Sequence, residues 1–190
     1  MKKALSLLLA LFLVISLMPM TAMAAEVSSG TCGDNLTWVI GDDETLTISG
    51  TGDMWDYNSK GTAPWYSERF LISNIVIEEG VTSIGVGAFY DCSLVSSVDI
   101  PNTVTRIGNG AFTFCNSLDS VEIVSNVTEI GSYVFRNCRS LTGIHVDENN
   151  PNYSSDEYGV LFDKNKTELI TAPGIIEGTY TIPDSVTSIT

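Results

Sequence analysis

Histidine is almost absent from this 190-residue sequence, which contains only His145. A catalytic serine with a histidine base therefore has no support, and the sequence has neither a G-x-S-x-G turn nor a glycine-rich phosphate loop. A zinc site requires cysteine or histidine ligands at close spacing, such as C-x-x-C, and none occurs. These absences predict a chain that is not an enzyme and that holds no metal or cofactor.

Basic side chains are also scarce, with nine Lys and Arg against 23 Asp and Glu and a formal net charge of −14. Phosphate binding draws its affinity from lysine and arginine, so nucleic acid is not expected as a partner. An acidic surface suits solubility outside the cell and contact with cationic partners, but it is also an ordinary solvated exterior. Charge alone leaves both interpretations open.

Long apolar runs are confined to the N-terminus. Lys2 and Lys3 precede an apolar run over 4–18, and the small-residue stretch 22–24 follows it. This arrangement predicts a secretory signal peptide over 1–25, because the run is shorter than the roughly 20 residues of a membrane helix. We expect an exported mature chain with no membrane span. It is either secreted or attached to the cell wall through a region beyond this sequence.

The most informative feature that is present is a repeat of 23 residues. Cys92, Cys115 and Cys138 are separated by this period, and the segments around them are IVIEEGVTSIGVGAFYDC, VDIPNTVTRIGNGAFTFC and VEIVSNVTEIGSYVFRNC. A repeat of this length is one supersecondary unit that stacks on its neighbours. The fold class predicted is therefore an α/β repeat solenoid.

Each repeat predicts two short strands followed by a turn. Apolar residues alternate with polar ones at the start of the repeat, as in Val98 and Ile100, and a second inward pair follows in a VT-x-I-G segment. We expect positive φ at the glycine that closes this segment. The Ala-Phe pair after it predicts a short helical turn. The glycines concerned are Gly85, Gly108 and Gly131.

The cysteines of the repeats are predicted to be buried free thiols. Parallel strands lie about 4.8 Å apart, which is beyond usual disulfide Cβ distances, and three equivalent residues cannot all pair. Cys32 lies outside the repeats and has no evident partner. It is the residue predicted to carry an exposed thiol.

The pattern V-x-I-P-x-x-V-T-x-I-G-x-x-A-F-x-x-C-x-x-L is complete from Val98 to Leu118. It resembles the BspA-type leucine-rich repeat of bacterial surface proteins. The resemblance implies a right-handed arc; the residues themselves predict its short parallel strands, short helical turns and β-rich N-terminal cap. It also implies secretion or wall attachment, repeats without catalytic residues, and adhesion to host proteins or other cells. The implied partner is an extracellular protein or cell-surface ligand.

The chain divides into a signal peptide, an N-terminal cap over 26–74 and repeats over 75–190. Strands are predicted over 36–40 and 45–48 in the cap. An insertion at about 147–179 contains a hairpin with strands 160–162 and 168–170. The next repeat strand is predicted over 180–182. The sequence stops in mid-repeat at Thr190, which predicts a longer protein.

Two surfaces are candidate binding sites. The outward positions of the repeat strands form a polar, mostly acidic stripe, which is also what a solvated sheet face looks like. Its residues are Asp99, Asp119, Glu122 and His145. Aromatic side chains before the first repeat give a carbohydrate-binding alternative, although an aromatic cap over the first repeat is the interpretation we favour. These residues are Trp55, Trp65 and Tyr66. The chain is alternatively the targeting arm of a larger exported enzyme.

Overall fold

The computed structural model describes residues 26–58 and 61–190, so the signal peptide predicted over 1–25 lies outside the described residues. The described chain forms short strands and one 3₁₀ helix, Tyr66–Leu71. The strands are β1 (Glu26–Thr31), β2 (Leu36–Gly41), β3 (Thr45–Gly50), β4 (Gly52–Asp53), β5 (Asn74–Ile77), β6 (Val81–Ile84), β7 (Ser97–Asp99), β8 (Arg106–Ile107), β9 (Ser120–Ile123), β10 (Glu129–Ile130), β11 (Gly143–Val146), β12 (Tyr153–Ser155), β13 (Leu161–Asp163), β14 (Glu168–Thr171) and β15 (Ser188–Ile189).

The N-terminal cap is an antiparallel sheet that continues into the repeats. β2 and β3 form the predicted hairpin, with Glu44 in the left-handed conformation at its turn (φ 62°). β1 pairs antiparallel with the other edge of β2. β3 then pairs in parallel with β5, placing Leu46 opposite Ile75. The first repeat therefore adds its strand directly to the cap.

The repeats stack their strands in parallel in two columns. In the first column β5 pairs with β7, and β9 pairs with β11; partners such as Val121 and Ile144 are 23 residues apart. In the second column β6 pairs with β8 and β8 with β10. The predicted leucine-rich-repeat arrangement of short parallel strands is thus present. The solenoid as a whole and its right-handed arc stay predictions.

A turn segment follows the second strand in each repeat and covers 85–96, 108–119 or 131–142. The predicted helical turns are present as isolated turns and not as helices, because in the first two segments alternate backbone N–H groups bond to the next repeat. Phe89 N–H donates to Ala111 O at 2.8 Å, whereas the N–H of Tyr90 donates to Gly87 O at 3.1 Å. Such alternation allows isolated turns and prevents a continuous helical ladder.

The glycine that begins each turn segment is required by close approach and not by φ, so the positive φ predicted for Gly85, Gly108 and Gly131 was wrong. A Cβ on Gly108 would lie 2.5 Å from Val86 N in the preceding repeat, and one on Gly85 would lie 1.9 Å from Trp55 O. Only a residue without a side chain allows the backbones to approach so closely.

The insertion after β11 is an antiparallel meander of β12, β13 and β14, and it includes the predicted hairpin. The strand predicted over 180–182 is absent. Ile144 N–H of β11 donates to Gly159 O at 3.0 Å, so the insertion occupies the backbone edge on which that strand would pair. β15 pairs with β14 in parallel instead.

The core is a column of stacked aromatic rings flanked by aliphatic side chains. Phe112 is fully buried, with its ring centre 5.2 Å from that of Phe89 and 5.7 Å from that of Phe135. Trp65 continues the column at the cap end, 5.6 Å from Phe89. This column joins the cap and the repeats into one hydrophobic core. Buried aromatic rings contribute strongly to stability, so the column is expected to hold the two parts together.

Candidate functional site

Three of the four residues predicted for the polar stripe form a row across the first column of strands. Asp99 lies on β7, Glu122 on β9 and His145 on β11, and all three side chains are exposed. Glu122 and His145 are directly opposed in the parallel ladder. Their chain neighbours on the strands, such as Val121 and Ile144, are buried, so strand alternation turns this row to solvent.

Asp119 is exposed but lies one residue before β9, outside the row. Its backbone carbonyl accepts a hydrogen bond from the Thr142 hydroxyl at 3.0 Å, and its carboxylate Oδ1 lies 3.4 Å from the same hydroxyl. The structure therefore places Asp119 at the edge of the row, where it joins two repeats. We call Asp99, Glu122 and His145 the strand face.

The strand face ends at a shallow cavity that sequence reasoning missed. This cavity has a volume of about 260 Å³ and is lined by His145, Tyr158 and two further acids, Glu157 and Glu177. Both acids belong to the insertion, outside the 23-residue register, so no repeat pattern could have aligned them with the strand face. They extend its acidic character beyond β11.

The aromatic residues of the carbohydrate alternative do not form one exposed platform. Trp65 is fully buried, and its indole N–H donates to Ala88 O at 2.9 Å. Trp55 is exposed and donates to the Asp34 carboxylate at 3.2 Å, while Tyr66 is half-buried beneath the Arg69 guanidinium. Trp65 thus closes the core, as expected of a cap residue.

The cysteines form a buried ladder and not a reactive site. All four are free and buried, which confirms the prediction for the repeats and corrects the one for Cys32, whose thiol lies in the cap core. Burial raises the pKa of the Cys92 thiol to about 12 and that of Cys115 well above its ordinary value. The Cys115 thiol also donates to Phe89 O at 3.2 Å. Protonated, enclosed thiols are poor nucleophiles and poor metal ligands.

No three histidine, cysteine or acidic side chains come together as a metal site within residues 26–58 and 61–190. Over the same residues, no helix combines the length and the apolar character needed to cross a bilayer. What the described chain offers instead is a row of exposed polar side chains on parallel strands.

Parallel strands repeated every 23 residues, over a core of stacked aromatic rings, define a protein of the leucine-rich-repeat class. The family model that describes the BspA type leucine rich repeat region matches residues 65–173 in six copies. The chain belongs to the BspA-type leucine-rich repeat family.

Solved structures of similar fold are bacterial. A leucine-rich repeat protein from Eubacterium ventriosum is 30% identical with a TM-score of 0.53, over 85% of this chain and 56% of that one. The pneumococcal vaccine antigen PcpA is 18% identical with a TM-score of 0.49, over 85% of this chain and 60% of that one. The chain therefore spans less than two thirds of the length of either protein. Among curated proteins, none matches it.

Proposed function

We propose that this chain is a secreted or cell-surface leucine-rich-repeat module that binds an extracellular protein or cell-surface ligand and catalyses no reaction. In this proposal the repeats form a right-handed solenoid, and the ligand lies along the strand face. A cationic partner segment fits best, because the face presents Asp99 and Glu122 and continues to the acids beside His145.

The observation that carries the proposal is the alignment of exposed polar side chains on neighbouring parallel strands. Glu122 and His145 are held opposite each other by the β9 and β11 ladder, and Asp99 holds the equivalent position 23 residues before Glu122, on β7. A binding row on strands is positioned more precisely than one on loops. Membership in a family of bacterial surface repeats and the signal-like segment 1–25 support an extracellular setting.

The test compares two variants of equal net charge. In Asp99→Lys/Glu122→Lys both strand-face acids are reversed, and in Glu78→Lys/Glu79→Lys two exposed acids in the loop after β5 are reversed. The probe is a decalysine peptide, with decaglutamate as the negative control, measured by biolayer interferometry at low ionic strength. An exposed ion pair at about 4 Å is worth roughly 1 kcal/mol in water, so reversing two acids is expected to weaken decalysine binding about tenfold or more.

The loop variant is expected to change the affinity by less than about twofold, since its acids lie off the row. Equal losses in the two variants would show that the probe senses only net charge, and the strand face would then not be a binding site. Circular dichroism confirms that both variants fold.

A further inference from the structure

The turn segments contain a tyrosine in a conformation that favours glycine. Gly87 and Gly110 occupy equivalent positions in two successive repeats, each with φ of 61°. Tyr133 occupies this position in the next repeat, also with φ of 61°, and its side chain is 67% exposed. Tyrosine rarely adopts this left-handed backbone, so the exposed ring is held there against local preference.

A second aromatic residue departs from the repeat in the same way. Asp91 and Asn137 adopt the left-handed conformation at equivalent positions, which suits their short polar side chains. Phe114 takes this position in the repeat between them, with φ of 67°. Its ring packs edge-on against Tyr90, with ring centres 5.5 Å apart. Two bulky rings thus replace residues that would fit the backbone better.

Tyr90, Phe114 and Tyr133 line one groove of about 470 Å³, which we call the turn groove. Arg136 also lines it, with the guanidinium carbon 5.3 Å from the centre of the Tyr133 ring. The remaining lining residues are Val86, Gly87, Asn109, Gly110, Thr113 and Ser132. The volume is within the range typical of small-molecule sites, and such sites combine aromatic walls with a few polar groups.

The charge of the turn groove is opposite to that of the molecule. None of its lining residues is acidic, although the chain carries 23 acids and a net charge of −14. Ion pairs in the described part of the chain join Arg69 to Asp91 and Arg106 to Asp56, so Arg136 has no carboxylate partner there. The groove therefore complements an anionic ligand.

Acids do lie in an adjoining cavity, which Tyr133 and Arg136 also line and which contains Asp163 and Glu168. Both acids already accept hydrogen bonds from other residues. Asp163 accepts the backbone N–H groups of Thr167 and Glu168 at 2.6 and 2.7 Å, and these bonds lower its pKa. Glu168 accepts the Thr190 hydroxyl. Neither acid forms an ion pair with Arg136.

We propose that the turn groove binds a carboxylate-bearing saccharide, such as a uronic-acid or sialic-acid residue of a surface glycan. The C–H face of the sugar ring packs on Tyr133 and Phe114, and its carboxylate pairs with the Arg136 guanidinium. Planar guanidinium donors match a carboxylate in bidentate geometry. This site is separate from the strand face, since it lies on the turn segments, and it uses none of the aromatic residues suggested by the sequence.

A saccharide fits the groove better than an acidic peptide does. The exposed Tyr133 ring and the half-buried Phe114 ring offer stacking surface. The Tyr90, Tyr133 and Ser132 hydroxyls and the Asn109 amide supply polar groups for sugar hydroxyls. The Asn109 side-chain oxygen accepts Ser132 N–H at 2.9 Å, which fixes the orientation of its amide.

The test uses variants that restore the residues of the other repeats. Tyr133→Gly and Phe114→Asn place well-suited residues in the left-handed positions, so they are expected to fold. Arg136→Gln removes the cation, and Phe70→Ala is a control that removes an exposed ring elsewhere. Isothermal titration calorimetry measures binding of trigalacturonic acid and sialyllactose, with galactotriose and lactose as the matched neutral sugars and tetraglutamate as the peptide probe.

An acidic sugar is expected to bind at least tenfold more tightly than its neutral match. Tyr133→Gly and Phe114→Asn should weaken binding about tenfold or more without loss of thermal stability, and Arg136→Gln should remove most of the preference for the acidic sugar. Phe70→Ala should leave saccharide binding unchanged. The proposal is overturned if neither acidic sugar binds, if Tyr133→Gly leaves binding intact, or if tetraglutamate binds as tightly.

Discussion

Gly108→Ala tests the close contact between neighbouring repeats. An added Cβ would lie 2.5 Å from Val86 N, 2.8 Å from Gly85 C and 2.9 Å from Val86 Cα. All three atoms belong to the backbone of the preceding repeat, so no side-chain rotation can make room. The two repeats must separate locally, which also stretches the 2.8 Å hydrogen bond from Gly108 N–H to Ile84 O.

The expected cost in the free energy of unfolding is about 2 kcal/mol. Overpacking of a tight interior costs about 1–3 kcal/mol, and weakening a buried hydrogen bond adds roughly 1 kcal/mol. Gly108 has no positive φ, so alanine fits its backbone and recovers about 0.4–1 kcal/mol by restricting the unfolded chain. With a urea m-value of about 2 kcal/mol per M, the midpoint should fall by about 1 M.

Gly178→Ala is the matched control, because this exposed glycine has φ of +80° and no atom within 4 Å of an added Cβ. Backbone strain of roughly 1–2 kcal/mol, less the 0.4–1 kcal/mol recovered by restricting the unfolded chain, gives an expected cost of about 1 kcal/mol. Urea titrations followed by circular dichroism and tryptophan fluorescence measure both variants. If Gly108→Ala is no more destabilising than Gly178→Ala, close packing of the repeat backbones does not explain the glycine.

Two further predictions concern the core. Phe112→Ala should lower the free energy of unfolding by about 3–5 kcal/mol, because the ring is fully buried between two others. Trp55→Ala removes an exposed ring and should lower it by less than about 1 kcal/mol. Similar urea midpoints for the two variants would contradict the stacked column. The cysteine thiols should resist Ellman's reagent until the chain unfolds. Burial raises the pKa of the Cys92 thiol to about 12, so above the ordinary thiol value of about 8.5 the unfolded chain releases protons that the folded chain retains. The free energy of unfolding should therefore fall as the pH rises from about 8.5. It should fall less steeply in Cys115→Ala than in the unaltered chain. If the two chains show the same pH dependence, groups other than the Cys115 thiol cause it.

The repeat itself was predictable from sequence because its period is carried by residues that all pack inward. Val98, Val121 and Ile144 recur every 23 residues, and each is buried on a parallel strand. The row of Asp99, Glu122 and His145 then follows from strand alternation. A periodic pattern specifies which residues share an environment. The buried strand positions and the exposed row could both be predicted from that pattern alone.

The errors arose where contacts between repeats determine the outcome. The turn segments contain isolated turns and no helix, because alternate N–H groups of the first two segments bond to the next repeat. The strand predicted over 180–182 is absent because Gly159 O already bonds to the edge of β11 on which that strand would pair. The turn groove escaped notice because Phe114 and Tyr133 occupy positions where other repeats have Asp, Asn or Gly. In the sequence, these two aromatic residues look like tolerated variation within the repeat, and only the structure shows that they lie side by side.

The backbone hydrogen bonds between turn segments also have a mechanical consequence. Each repeat is joined to the next by bonds such as Phe89 N–H to Ala111 O, and these lie across the path of the chain. Tension applied along the polypeptide would therefore peel one repeat from its neighbour before loading the next. Each 23-residue repeat would release about 80 Å of extended chain. Because the contacts of each repeat are mainly with its neighbours, such a chain would lengthen in steps of about one repeat.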